Sequence, residues 1–345
     1  MNIIILSKNY SGNSSYYHQD IIDSFKKLCT AYLYGDGYGD YDRNDSIADV
    51  INKSPFDNNN IDLIVCSTSW DEDTSKVQVD PHPNINLSKI VNIPKVYFLN
   101  KEYKKLDLRF EYIKKQKFNL VCTVHPDAKK WEEQLGVEFL LLPFGISLDR
   151  FKYFGLEKKY DFTFTGGLHK AHTDLRFNVK QQLFDNNYID RMSTFGLDSL
   201  FSSNPIKKEY QKYNIRWAQW GAKNFLYKNL LPTGLQYVKM MNKSKVFLNT
   251  PSAIGIFNTR FFELMATKSL ILCPVSNQYM GMLKDGYNCV MFKDDMSDFD
   301  EKLKKCIDDD VFRNIIVDNA YLNVEKHSYD SRIHTLINHI KGSLC

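Results

Sequence analysis

Short apolar runs recur along the first half of the chain, at 3–6, 31–34, 62–66, 96–99, 120–124 and 138–142. Each is hydrophobic over most of its length instead of alternating with polar residues. Stretches of helical periodicity separate them, near 16–28, 101–115 and 126–135. A strand that is apolar on both faces is covered on both faces, so strands of this kind with helices between them predict a parallel sheet with helices on each side. The pattern predicts an α/β domain over 1–150. The segment Pro143-Phe144-Gly145-Ile146-Ser147-Leu148-Asp149-Arg150-Phe151 interrupts it with proline and glycine. Strands resume at 160–167, 245–248, 270–273 and 289–292, with helices near 297–307 and 311–325. This predicts a second α/β domain over 151–326. The remainder, 327–345, carries a final helix at 329–340.

Composition narrows the class. Of 345 residues, 43% are hydrophobic and 25% charged, ample for two packed cores. The net charge of +4 is too mild for a dedicated nucleic-acid protein, although a local basic patch fits within it. The longest apolar run, 139–142, is too short to span a bilayer. The opening Met1-Asn2-Ile3-Ile4-Ile5-Leu6 reads as a buried strand, not as a signal peptide. Seven cysteines are scattered without a CxxC pair, which suits buried thiols in a reducing compartment better than zinc or a disulfide framework. The expectation is a cytoplasmic protein, with peripheral attachment at a membrane surface left open.

The chemistry concentrates at 257–267, an amphipathic helix carrying Arg260 and Glu263 beside Thr259, just before the strand at 270–273. An acid near a helix start is stabilised by the helix dipole, and the same helix end offers N–H groups to an anion. A carboxylate able to accept two hydroxyls, next to a helix end able to hold phosphate, suits a nucleotide sugar. The other reading is an ordinary Arg–Glu pair on a surface helix. Gly166-Gly167 follows a strand and precedes a cluster with Lys170 and Arg176. Glycines there let backbone approach a phosphate that the cations neutralise. A plain tight turn is the alternative.

The helix resembles the donor-binding helix of GT-B glycosyltransferases, whose pattern is roughly Arg-x-x-Glu-x-x-Ala-x-Gly. Arg260, Glu263 and Ala266 match it. Lys268 replaces the usual glycine, and Gly255 stands where many retaining members carry a second glutamate. The 143–151 segment resembles the linker of that family. The resemblance implies two Rossmann-like domains facing across a cleft, with a C-terminal helix that returns to the first. It implies that Glu263 holds the ribose hydroxyls and that Arg260, Arg176 and Lys170 lie near the diphosphate. The closest likeness is to spore-maturation-type and group 1-like glycosyltransferases. A local similarity to phage DNA β-glucosyltransferase implies an inverting mechanism with a carboxylate base in the first domain.

Such a base needs a carboxylate at the carboxyl end of a first-domain strand. Glu102, after the fourth strand, is the first candidate and Asp107 the second. Either is also explained as an acid at a helix N-terminus. His125, at the end of the fifth strand, is a rival base or a helix cap. Two loops at the same end of the sheet, with Gly12 and Asn13 in one and Tyr38 in the other, are candidate acceptor loops. The second reads as flexible from its Gly and Tyr content. Asp71-Glu72-Asp73 resembles a metal motif of a different transferase fold and is assigned to a surface loop, so no metal site is expected.

The expectation is a metal-independent glycosyltransferase, hexosyl or pentosyl, with a nucleoside-diphosphate sugar as co-substrate, a UDP-sugar first, and a glycan or other hydroxyl acceptor. No other cofactor is expected. The alternatives are a non-catalytic nucleotide-sugar or glycan-binding protein, and a DNA-modifying glucosyltransferase, which would bind duplex DNA in a salt-sensitive way.

Overall fold

The computed structural model describes residues 1–11, 17–67, 84–99, 102, 105–164, 178, 192–194, 234–252 and 256–343. The chain divides into two compact units. One is Met1–Ser147 with His327–Cys345, the other Leu148–Lys326.

In the first unit, β1 (Asn2–Leu6), β2 (Thr30–Tyr34), β3 (Leu63–Cys66), β4 (Lys95–Phe98), β5 (Leu120–Thr123) and β6 (Glu138–Leu141) form a parallel sheet in the order β2-β1-β3-β4-β5-β6. Ile3 pairs with Ala31 on one side and Leu63 on the other. The inner strands β3, β4 and β5 are buried on both faces, as uninterrupted apolar runs require. One face packs Ile4, Ile64 and Val121 under α3 (Leu106–Gln116) and α4 (Ala128–Leu135). The other packs Ile3, Val65 and Leu120 under α1 (Tyr17–Leu28) and the last helix of the chain, Tyr329–Ser343. That last helix is tied to α1 by Ser24 Oγ, which donates to Asp330 Oδ1 at 2.5 Å. The return of the chain is fixed at Ile146, whose N–H donates to His327 O while its carbonyl accepts from Tyr329 N–H. Gly145 is required there, because a Cβ would sit 2.9 Å from Tyr329 N.

In the second unit, β7 (Tyr160–Phe164), β8 (Met192–Thr194), β9 (Ser244–Leu248), β10 (Leu270–Pro274) and β11 (Val290–Phe292) form a parallel sheet in the order β11-β10-β9-β7-β8. Phe162, Val246, Leu272 and Phe292 fill its core.

Three helices differ from expectation, α5 (Gly234–Asn242) among them, which was not expected. The helix expected near 101–115 is α3, which among the described residues begins at Leu106, after Lys105 at φ 52. Helix α2 (Ile47–Lys53) was not expected. It is set by a reciprocal cap between Ser46 and Asp49, a signal present in the sequence. The second unit's described helices are α5 (Gly234–Asn242), α6 (Arg260–Ala266), α7 (Phe299–Asp308) and α8 (Asp310–Leu322). The helix Tyr329–Ser343 is α9.

Candidate active site

Helix α6 follows the end of β9 through a pinned connection. Asn258 Nδ2 donates to Thr250 O at 2.8 Å, and its Oδ1 accepts from Asn249 Nδ2 at 3.0 Å. Thr259 Oγ1 donates to Glu263 Oε1 at 2.9 Å. No hydrogen bond to Glu263 Oε2 is found among the described residues. Burial pushes the Glu263 carboxyl above the usual range, and Arg260, the Thr259 hydroxyl and Arg150 pull it back. Arg150 was read only as part of the interdomain segment. Arg260 is aimed by Tyr237 of α5, whose hydroxyl accepts from Arg260 Nε at 2.9 Å.

One feature of the expectation does not hold. The first N–H groups of α6 are already engaged, Arg260 N–H with Asn258 Oδ1 and the N–H groups of Phe262 and Glu263 with Thr259 O. Side chains at this helix start, and not its backbone, are left to meet an anion. Thr259 itself is helical and serves Glu263.

Lys268, where a glycine was expected from the resemblance, adopts φ 52. The helix end requires a left-handed residue there. The lysine adopts it while its ammonium bonds Asp318 at 2.9 Å and lies over the rings of Tyr153 and Tyr321.

In the first unit, Glu102 is only 4% exposed. Its Oε1 accepts from Thr123 Oγ1 at 2.7 Å, and Thr123 Oγ1 accepts in turn from His125 N–H at 3.1 Å. Burial raises the Glu102 carboxyl, and the hydrogen bonds and nearby His125 offset part of that. Asp107 lies exposed on the first turn of α3, apart from this network. His125 stacks on Trp131, with ring centroids 4.8 Å apart. Its Nδ1 accepts from Asp127 N–H at 3.1 Å, so the neutral ring carries its proton on Nε2. That contact caps the turn leading into α4, the second role expected of His125.

The loop after β2 packs closely against the end of β1. Gly35 lies at φ +150 with its missing Cβ only 2.1 Å from Ser7 O, and Asn9 N–H bonds Asp36 O at 2.8 Å. The loop is clamped onto the end of β1. Tyr38 is half-buried, and burial together with Asp23 raises its hydroxyl to about 12. Gly12, Asn13, Gly166, Gly167, Lys170 and Arg176, and the Asp71–Asp73 loop, lie outside the described residues.

The two parallel α/β units have the GT-B fold. Over residues 197–338 the chain matches the family described as glycosyl transferase-like. A glycosyltransferase from Rickettsia africae is 13% identical, with a TM-score of 0.64 over 99% of this chain and 98% of that one. HepE from Anabaena, solved with UDP-glucose, is 13% identical, with a TM-score of 0.60 over 99% and 100%. Sucrose-phosphate synthase from Thermosynechococcus elongatus is 10% identical, with a TM-score of 0.59 over 99% and 100%. No curated protein sequence matches the chain. Among the described residues, no helix is long and apolar enough to cross a membrane.

Proposed function

We propose that the protein transfers a sugar from a UDP-sugar to a hydroxyl acceptor by single displacement. The observation that carries this reading is the Glu263 carboxyl, held by Thr259 with Arg260 and Arg150 as neighbouring charges, on the helix that enters β10. A carboxylate oxygen suits the paired hydroxyls of a ribose. The solved neighbour HepE binds UDP and UDP-glucose on the same fold.

The donor rests on the second unit. Glu263 accepts the ribose hydroxyls, and Arg260 stabilises the diphosphate as negative charge develops on it. Lys170 and Arg176 join it from the segment after β7. The acceptor rests on the first unit, where Glu102 is the base. The acceptor oxygen attacks the sugar's anomeric carbon as the bond to the diphosphate oxygen breaks. UDP leaves with that electron pair, and the acceptor's proton passes to Glu102. Thr123 holds the Glu102 carboxyl in place. The sugar inverts in such a step, and the cations do the work a metal does in other transferases.

The test is release of UDP from UDP-sugars in metal-free buffer, with and without hydroxyl acceptors. Turnover that needs an acceptor and is lost in Glu102→Gln supports the reading. Turnover that needs an added divalent cation, or none with any nucleotide sugar, contradicts it.

A further inference from the structure

A pocket opens at the carboxyl end of the first unit's sheet, and none of the donor chemistry uses it. Phe98 of β4, Cys122 of β5 and Ile333 of α9 form its buried floor. Tyr17 of α1 and Phe144 form its half-buried rim, their rings edge to face at 5.2 Å. Thr123, whose hydroxyl bonds Glu102 at 2.7 Å, is in the same wall. Arg332, engaged with His327 Nδ1 at 3.1 Å, and Tyr329 also line it, so the proposed base stands one side chain behind a mostly apolar pocket.

The space within measures about 30 Å³. A single water needs about 10–15 Å³ on this scale. The pocket therefore holds a small group, and a lipid chain is too long for it. The floor residues Phe98, Cys122 and Ile333 carry no strong hydrogen-bond partner to repay a hydroxyl's desolvation. The floor does gain from a methyl group. The two half-buried aromatic rings at the rim offer a face to the C–H side of a sugar ring.

The geometry points to an acceptor sugar that carries a methyl group, either at C6 of a 6-deoxyhexose or within an N-acetyl substituent, with that methyl seated among Phe98, Cys122 and Ile333. This rests on the reading of the first unit as the acceptor side. The site selects its acceptor by what the hydroxyl's neighbours bury, and the carboxyl behind Thr123 takes the proton.

Saturation-transfer NMR titrations of the whole protein test it with two matched pairs. One is methyl β-D-galactoside against its 6-deoxy counterpart, and the other is methyl β-D-glucoside against methyl N-acetyl-β-D-glucosaminide. The methyl-bearing member of one pair is expected to bind about fourfold more tightly or better, the value of burying one methyl. Which pair responds identifies the source of the methyl. Ile21→Trp, which fills the pocket from α1, is expected to erase the difference, and so is Cys122→Ser, which makes the floor polar. Equal binding within both pairs overturns the inference, as does a difference that survives both substitutions, or no binding by any of the four. A UDP titration of the same samples separates the two readings. Absent UDP binding with discrimination intact contradicts the proposed transfer alone, and UDP binding without discrimination contradicts the pocket alone.

Discussion

Thr259 Oγ1 donates to Glu263 Oε1 at 2.9 Å across one turn of α6, so the hydroxyl that opens the helix sets the direction of the carboxyl that follows it. A glutamate of this length has three rotatable bonds, and the bond to Thr259 removes much of that freedom before any ligand arrives.

Thr259→Val keeps the shape and removes the donor. If about 1 kcal/mol of preorganisation is lost, UDP binding should weaken about fivefold with little change in kcat. Thr259→Ser should restore it. Isothermal titration with UDP and steady-state KM for the donor read the two effects separately.

Glu102 should set the acid limb of the pH profile. Burial raises its folded-state pKa above that of the unfolded chain. A base acts when deprotonated, so kcat/KM should rise with pH through that raised value. The sign for stability is opposite. The folded state holds the proton more tightly, so this group's contribution is present at low pH and is lost as pH rises from the unfolded to the folded pKa. Glu102→Gln should abolish the limb and lower kcat by about a hundredfold or more while UDP affinity stays within twofold. An unchanged limb in the variant would remove Glu102 from the role.

Gly35→Ala should be costly. The added methyl would meet Ser7 O at 2.1 Å, and φ +150 is strained for any residue with a Cβ. The backbone there is pinned by Asn9 and cannot move aside without breaking the contact between the loops after β1 and β2. A loss of about 3 kcal/mol in denaturant unfolding is expected.

Lys158 in the second unit gives an independent pH signature. Burial, with Arg313 and Lys268 nearby, lowers its ammonium to about 8, and its Nζ bonds Lys268 O at 2.5 Å. The unfolded chain then binds more protons than the folded one above that value. Stability should increase as pH rises from about 8 toward the ordinary lysine range, and Lys158→Met should flatten that slope. Thermal melts across the window measure it.

The sheets were legible because their strands are uninterrupted apolar runs. The run at 3–6 became β1, and that at 270–273 became β10. The start of β4 was hidden by a charge. Lys95 is 4% exposed, and its ammonium is bonded to the carbonyls of Leu87 and Ile90, an arrangement invisible to hydropathy. Helix α6 with Arg260 and Glu263 could be read from spacing, since residues three apart share a helix face. Thr123 could not, because it meets Glu102 from 21 positions away. The anchoring of the loop at Gly35 escaped for the same reason, since it depends on Ser7, just past a different strand. Composition reports what a segment is made of, while its order depends on what it touches.

The central claim is that Glu263 binds the nucleotide of a donor sugar without metal. Titration of UDP into wild-type protein and Glu263→Ala in EDTA-containing buffer tests it most directly. A hydrogen bond to a charged group contributes about 1.5–3 kcal/mol, so the substitution should weaken UDP binding by about ten- to a hundredfold with the fold intact by circular dichroism. Equal affinity in the two proteins, or wild-type binding that appears only when a divalent cation is added, would contradict it.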